Sequence, residues 1–279
     1  MLRVPRYRIA LPVTGNLPAS IQPLNLPLGG DSQLVFDDNR WRLTIELESV
    51  NPSQAVEQAR QVATTDLTLF QIFSLGLVAS FTMFVANNSE ADIEEIGSPL
   101  RRLVSNSVTV TVYSEAPDAV FAGESIGTRL QQIRTVHNLA GQDDCNIALH
   151  YYGVAAREQD TTYKFLNFIT TIEAMLSEGD ETTEKISRRL AVLVSSKYND
   201  MQETFSRFKR FYHTRSEILH GGKIPTISNE TITQVSELAQ VAIRSYLLLR
   251  VNSNNQEIKQ KLDKFFDESA IAQIRTVTA

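Results

Sequence analysis

A change of pattern in the middle of the chain is the feature that most constrains its fold. From about Asp143 onward, apolar residues recur at helical spacing, and no segment has the alternation of a half-buried strand. All eight lysines lie at or after Lys164, whereas the first half uses only Arg for positive charge. The chain has 279 residues, enough for two domains that each bury a core. The sequence therefore predicts an α+β protein, with a mixed α/β domain over 1–140 and an all-α domain over 141–279.

In the first half, strand and helix patterns are interspersed. Residues 33–36 and 41–47 alternate in polarity around an Asp-Asp-Asn-Arg turn, which predicts a β-hairpin with one wet face. Asn51 and Pro52 supply a cap and a first helical position for a helix that runs toward Leu75. The other expected segments are an irregular arm over 11–30, a strand over 78–85, a short helical region over 91–104, a strand over 107–113 and a helix over 128–136.

The second half is expected to contain six helices. Gly179-Asp180 separates the second from the third, and Gly221-Gly222 followed by Pro225 ends the fourth. The predicted helices cover 144–158, 162–177, 183–196, 199–220, 228–251 and 256–266.

Composition narrows the classes of function. With 42% hydrophobic and 21% charged residues, the chain has the balance of a folded protein rather than a disordered one. A net charge of −5 restricts any nucleic-acid site to a local basic patch. The single Cys145 cannot form an intrachain disulfide, and no Cys/His cluster has zinc-ligand spacing. We therefore expect a cytoplasmic protein with no metal or cofactor.

A charge-free run over residues 67–86 is about as long as a membrane span. Polar residues such as Thr68 and Gln71 interrupt it, Gly76 is a helix-stop signal, and no Lys or Arg lies nearby on either side. A buried helix followed by a buried strand is therefore the preferred interpretation, and no membrane partner is expected.

Two short motifs match known catalytic patterns. Gly123-Glu124-Ser125-Ile126-Gly127 matches the G-x-S-x-G turn of serine hydrolases, but helices follow it where alternating strands would have to deliver an Asp and a His. Ser206-Arg207-Phe208-Lys209 matches S-x-x-K but lacks its companion motifs. A hydrolase centred on Ser125 is therefore the weakest of the functions considered.

Arg215 occupies an unusual position in the helix over 199–220. It falls in register with Phe208 and Leu219 on the apolar stripe of that helix, where a core residue is expected. Burying a guanidinium is costly unless an anion or a hydrogen-bond partner is near. Two interpretations remain open: a salt bridge to a carboxylate such as Glu173, or a site for an anionic ligand.

His220 closes the same helix, just before two glycines. The free carbonyls of a helix end favour a protonated imidazole, which suits an acid or a phosphate ligand, although a simple capping role explains many such residues. Five positions on a straight helix place Arg215 and His220 roughly 140° apart. Either the helix tightens or ends before His220, or the Arg side chain wraps round, or the site lies where two chains meet.

Two motifs of the second half occur together in a known family. They are Arg215-x4-His220 within Tyr-His-Thr-Arg-Ser-Glu-Ile-Leu-His-Gly-Gly, and an upstream Phe165-Leu166-x6-Glu173-Ala-Met-Leu. With them the chain resembles the HEPN superfamily, particularly its ApeA-like branch, over roughly residues 143–251. The resemblance implies a helical bundle that dimerises so that two Arg/His pairs line one cleft. Many members are metal-independent endoribonucleases of defence, toxin–antitoxin or RNA-processing systems, and others have lost activity.

Carried onto this chain, the resemblance implies catalytic roles for two residues. His220 would assist attack of the ribose 2′-hydroxyl on the adjacent phosphate, and Arg215 would stabilise the developing negative charge, leaving a 2′,3′-cyclic phosphate. The candidates for positioning the substrate are Ser216, His213 and Glu173.

The nearby cations are candidates for contacts with RNA phosphates, with a solvated helix face as the alternative. They are Lys197, Arg207, Lys209 and Arg210. The expected partners are single-stranded RNA, a second copy bound through the helical domain, and an antitoxin or defence protein. The competing hypothesis is a non-catalytic HEPN-type scaffold for RNA binding or dimerisation.

Overall fold

A computed structural model of the protein describes residues 4–15, 26–37, 40–73, 80–85, 90–96, 101–105, 110–115, 131–139, 143–179, 182–195, 197–221 and 225–278. The chain divides into two compact units, Met1–Asn138 and Leu139–Ala279. The first unit mixes strands with helices, and the described part of the second is helical, so the chain is of the α+β class.

The N-terminal unit is an antiparallel sheet with helices. Its helices are α1 (Pro52–Phe73) and α2 (131–137). Its strands are β1 (Arg6–Gly15), β2 (Leu26–Gly29), β3 (Ser32–Asp37), β4 (Arg40–Glu48), β5 (Ser80–Val85), β6 (Glu90–Glu95), β7 (Arg101–Ser105) and β8 (Val110–Glu115). The order is β2-β3-β4-β1-β5-β8, and β6 lies between β1 and β7.

The long strand β1 organises this sheet. One edge pairs with β4 from Arg6↔Glu48 to Val13↔Trp41. The other edge is shared, because β6 pairs with its first half and β5 with its end. Tyr7, Ile9 and Leu11 alternate along β1 and are buried, as a strand with one covered face requires. Helix α1 packs on the sheet through its contacts with β1 and β4.

Two sequence signals, the alternating hairpin pattern and the Asn-Pro helix start, correctly predicted elements of this unit. Antiparallel pairing of β3 with β4 confirms the predicted hairpin. Helix α1 is confirmed too: it begins at Pro52, and the Asn51 Oδ1 accepts a hydrogen bond from the backbone N–H of Gln54 at 2.9 Å. The predicted run of buried helix and strand over 67–86 corresponds to the end of α1 and to β5. Among the described residues, none of the helices has the length and apolar character needed to cross a membrane.

Two expectations for this unit were wrong. The arm expected to be irregular over 11–30 is strand in its described parts up to the turn at Gly30, because 11–15 belong to β1 and 26–29 to β2. The helical region expected over 91–104 is, in its described parts, the antiparallel pair β6 and β7. Its Ala, Glu, Leu and Arg residues favour a helix locally, but β6 also pairs with β1, and tertiary pairing overrides weak propensity.

The C-terminal unit contains the six predicted helices. They are α3 (Asp143–Arg157), α4 (Thr161–Leu176), α5 (Thr183–Val194), α6 (Tyr198–His220), α7 (Asn229–Arg250) and α8 (Asn255–Thr278). Side chains cap three of them: Asp160 accepts from the N–H groups of Thr162 and Tyr163, Ser228 from that of Thr231, and Asn254 from that of Glu257. Helix α8 continues well past residue 266, where it was expected to end, because no Gly or Pro interrupts the sequence.

Two cations from other helices satisfy the carbonyls at the end of α4. Arg189 of α5 is only 1% exposed, and its Nη1 donates to the Leu176 oxygen at 2.7 Å. Its Nε and Nη2 form a bidentate pair with Asp263 of α8, each at 2.8 Å. Lys259 of α8 donates to the carbonyl oxygen of Ser177. The carbonyls at a helix C-terminus lack intrahelical partners, so these cations fix the last turn of α4 in place.

Candidate functional site

Helix α6 places Arg215 against α4. Its buried stripe includes Met201, Phe208 and Phe211. Arg215 continues the stripe, and its side chain remains 24% exposed. The Nη2 of Arg215 lies 3.1 Å from Glu173 Oε2 on α4, and that glutamate side chain is 16% exposed. The salt bridge that sequence reasoning left open as one of two interpretations is therefore formed.

An aromatic ring completes this group. The guanidinium carbon of Arg215 lies 5.2 Å from the centre of the Tyr212 ring, within range of a cation–π interaction. Burial raises the pKa of Tyr212, a hydrogen bond to Glu173 and the charge of that carboxylate raise it further, and the charge of Arg215 lowers it. The Glu173 carboxylate thus serves both a cation and a phenol. We call Arg215, Glu173 and Tyr212 the Arg215 cluster.

His220 is the last residue of α6 and is exposed. The backbone N–H of Gly221 donates to the Glu217 oxygen at 2.7 Å, so the helical pattern is complete through His220. A Cβ atom at position 221 would lie only 2.6 Å from that oxygen, a distance that glycine alone tolerates. The glycine therefore lets the last turn close directly after the histidine.

The continuous helix keeps Arg215 and His220 apart. Five helical steps separate them by roughly 140°. The expectation that α6 might end before His220 is wrong, and the Arg215 side chain points to Glu173 instead of wrapping round the helix. No hydrogen bond or ion pair between described residues joins Arg215 to His220. A single copy of the chain does not bring the two side chains together.

The outer face of α6 carries some of the other candidates. Lys209 and His213 lie about 20° to either side of His220 in helical projection, whereas Arg207 lies roughly 140° away. Lys197 precedes the helix as its N-cap residue, with an extended backbone. His213 is exposed, with its Nε2 3.5 Å from Glu217 Oε1. The structure thus places Lys209, His213 and His220 on one face, and leaves Lys197 and Arg207 off it.

The remaining candidates are dispersed or already paired. Arg207 forms an ion pair with Glu203, one turn away on the same helix. The Nζ of Lys209 lies 3.9 Å from Glu184 and 5.2 Å from the centre of the Phe205 ring. Arg210 is exposed and Ser216 is half-buried. The local basic patch is therefore partly neutralised by carboxylates.

A second group of ionisable side chains joins α3 to α7. Asp144 accepts hydrogen bonds from the Tyr246 hydroxyl and from the Arg250 Nε, the latter at 2.9 Å. Burial and the neighbouring Asp144 charge raise the pKa of Cys145 to about 12. Its thiol is protonated at neutral pH, so this group fastens two helices and offers no nucleophile.

Sequence reasoning overlooked one member of the Arg215 cluster. Tyr212 was not among the predicted site residues, although it precedes Arg215 by three residues and therefore shares its face. That spacing was the available signal. The G-x-S-x-G motif at 123–127 lies outside the described residues. Within the described ranges, no group of three or more His, Cys, Asp or Glu residues is arranged to hold a metal ion.

Comparison of the chain with protein-family models, with curated proteins and with solved structures found no match in any of the three. The HEPN resemblance therefore rests on the residues of the two motifs alone.

The Glu173→Gln variant tests the Arg215 cluster directly. Removing the carboxylate charge is expected to lower the pKa of Tyr212 toward its ordinary value, because the charge and the hydrogen bond of Glu173 both raise it. The unfolding free energy should fall by about 1 kcal/mol, the upper end of the range for ion pairs that solvent still reaches, because both side chains are largely but not fully buried. NMR titration of ¹³C-labelled tyrosine measures the shift. Glu217→Gln, on the exposed side of α6, is the matched control, and an equal shift in both variants would contradict the cluster.

Proposed function

We propose that this chain is a metal-independent endoribonuclease of the HEPN type that cleaves single-stranded RNA. One observation carries the proposal. Glu173 holds the guanidinium of Arg215 in a partly buried position that solvent still reaches, and the exposed imidazole of His220 lies at the C-terminal end of the same helix. The fixed guanidinium suits recognition of a phosphate, because Arg presents a rigid fork of donors to planar or tetrahedral anions.

The proposed reaction is transesterification within the RNA strand. The ribose 2′-oxygen attacks the adjacent phosphorus and gives its proton to a base, for which His220 is the candidate. The bond from phosphorus to the 5′-oxygen breaks, and that oxygen takes up a proton. Arg215 stabilises the negative charge that develops on the phosphate oxygens. The products are a 2′,3′-cyclic phosphate and a 5′-hydroxyl end.

In this proposal a second copy of the chain completes the site. Within one chain Arg215 and His220 face different directions, so a cleft lined by both requires that two copies of α6 lie side by side. Leu219 supports this arrangement: it occupies the apolar register of α6 and yet is 51% exposed. Large apolar side chains left exposed beside a charged site are common at interfaces between subunits.

The homodimer can be tested separately from catalysis. Mass measurement in solution should give twice the mass of the chain, and Leu219→Asp should weaken association at least about tenfold by placing an unpaired charge in the interface. Leu249→Asp is the matched control, because Leu249 is an exposed apolar residue of α7. A strict monomer that still cuts RNA would contradict the shared cleft.

The alternative function is a non-catalytic scaffold that binds RNA or dimerises. The observation that favours it is the Glu173–Arg215 pair, because a guanidinium that already has a carboxylate partner also satisfies a purely structural role. In either case we propose a cytoplasmic setting, with an antitoxin or defence protein as a further partner.

Incubation of the purified full-length protein with mixed RNA, with and without EDTA, tests the proposal. The expected result is cleavage that EDTA does not abolish, with cyclic phosphate ends identified by their resistance to poly(A) polymerase until a phosphatase that opens the ring has acted. Intact RNA under both conditions, together with measurable RNA binding, would favour the scaffold. A Ser125→Ala variant should behave as the natural protein does.

A further inference from the structure

A buried carboxylate and a histidine meet in the N-terminal unit, in a contact that the proposed function does not use. Asp66, near the end of α1, is completely buried. Its Oδ1 lies 2.8 Å from Nε2 of His137, the last residue of α2. Its other oxygen, Oδ2, is equally buried and has no hydrogen-bond partner among the described residues. Burying a carboxylate is costly unless a cation lies beside it, and among the described residues His137, when protonated, supplies that charge.

The histidine ring also contacts the turn between β2 and β3. Gly30 in that turn has φ +49°, in the left-handed region that favours glycine. A Cβ atom at this position would lie 3.3 Å from His137 Cε1, so the ring packs closely on the turn backbone. His137 therefore connects α2 to two elements that are distant in sequence, α1 and the β2–β3 turn.

Asp66 dominates the electrostatic environment of His137. The hydrogen bond to Asp66 raises the pKa of His137, the Asp66 charge adds to the effect, and burial opposes it. The nearby charged residue of the turn, Asp31, lies 3.5 Å from Arg6. Arg134, on α2 itself, is exposed. Among the described residues, Asp66 is thus the charged group that acts on His137.

We propose that His137 and Asp66 form a pH-sensitive latch. It holds α2 against α1 and the β2–β3 turn when the imidazole is protonated, and it loosens α2 when the proton is lost. Neutral imidazole can still donate one hydrogen bond, but Asp66 then remains as a buried carboxylate without a countercharge. Because α2 is the last described element of the N-terminal unit, loosening it releases the C-terminal end of that unit.

The direction of the pH effect follows from the raised pKa. A group whose pKa is higher in the folded than in the unfolded state stabilises the fold fully below the unfolded value, near 6.5 for His. That contribution is lost as the pH rises through the folded pKa. The latch is therefore closed at mildly acidic pH and open at alkaline pH.

Hydrogen–deuterium exchange of the full chain tests the latch. Between about pH 6 and about pH 8.5, protection of residues 131–139 and of the β2–β3 turn, corrected for intrinsic rates, should fall by up to about tenfold for each unit that the His137 pKa is raised. NMR titration of the four histidines measures that pKa in the same protein. The pH at which protection falls must match the His137 pKa from that titration.

Variants make the test specific. His137→Gln keeps a side-chain hydrogen bond to Asp66 but cannot titrate, so protection of 131–139 should no longer depend on pH. His150→Gln, which alters an exposed histidine of the helical unit, should leave the pH dependence intact. If His137→Gln does not fold, an unshifted His137 pKa in the natural protein would by itself overturn the proposal. Equal pH dependence in His137→Gln and the natural protein would overturn it as well.

Discussion

Arg215→Ala is expected to lower the rate of RNA cleavage by about 10²- to 10³-fold, the usual cost of removing a group that stabilises charge in the transition state. His220→Ala should lower it by about 10²- to 10⁴-fold, because it removes an acid–base group. The effects of residues that act as one unit do not add, so the double variant should be only slightly less active than the less active of the two single variants.

Matched variants separate catalysis from folding. Arg215→Lys keeps the positive charge but loses the planar fork, so an intermediate rate is expected. Arg215→Ala also leaves Glu173 without its cation, so the melting temperature of each variant must be measured alongside its activity. His150→Gln, on the exposed surface of α3, should retain full activity. Cleavage at an unchanged rate in both Arg215→Ala and His220→Ala would contradict the proposed mechanism.

Asp263→Ala is expected to destabilise the helical unit by about 3 kcal/mol. The substitution removes the carboxylate that forms a bidentate pair with the buried Arg189, and leaving a buried guanidinium without its counter-ion typically costs about 3–5 kcal/mol. Asp263 is itself partly exposed, which places the expected loss at the lower end of that range. Urea unfolding followed by circular dichroism measures the change.

Asp267→Ala provides the control for this experiment. Asp267 lies one turn further along α8, its side chain is 69% exposed, and its partner Arg188 is 3.8 Å away and also accessible. Exposed pairs contribute about 0–1 kcal/mol, so this variant should unfold almost as the natural protein does. Equal losses in the two variants would show that the Arg189–Asp263 pair has no special role.

Local signals predicted most of the helical unit. Apart from the end of α8, each helix of this unit begins and ends close to a position that its apolar period and its Gly, Pro or capping residues indicated, since those signals act within one or two turns. The same kind of signal identified the β3–β4 hairpin, whose two strands are adjacent in sequence. Elements of this type need no information from the rest of the chain.

Non-local pairing explains the failures. The β6–β7 pair was expected to be helical, and what decides it is the pairing of Ile93 with Ile9, residues that lie far apart in the sequence. The buried pair of Arg189 with Asp263 was also not foreseen, because those residues are 74 positions apart. A single sequence contains no signal for such encounters beyond weak propensity.

For the Arg215 cluster, the sequence alone determined the apolar register of Arg215 and the position of His220 at a helix end, because both depend on the 3.6-residue period and on the glycines that follow. Only the tertiary structure decided the rest. It placed Glu173 of α4 beside the guanidinium, added the Tyr212 ring, and kept α6 helical through His220. The physical reason is that a helical period determines on which side of a helix a residue lies, whereas its partner is determined by which other helix packs there.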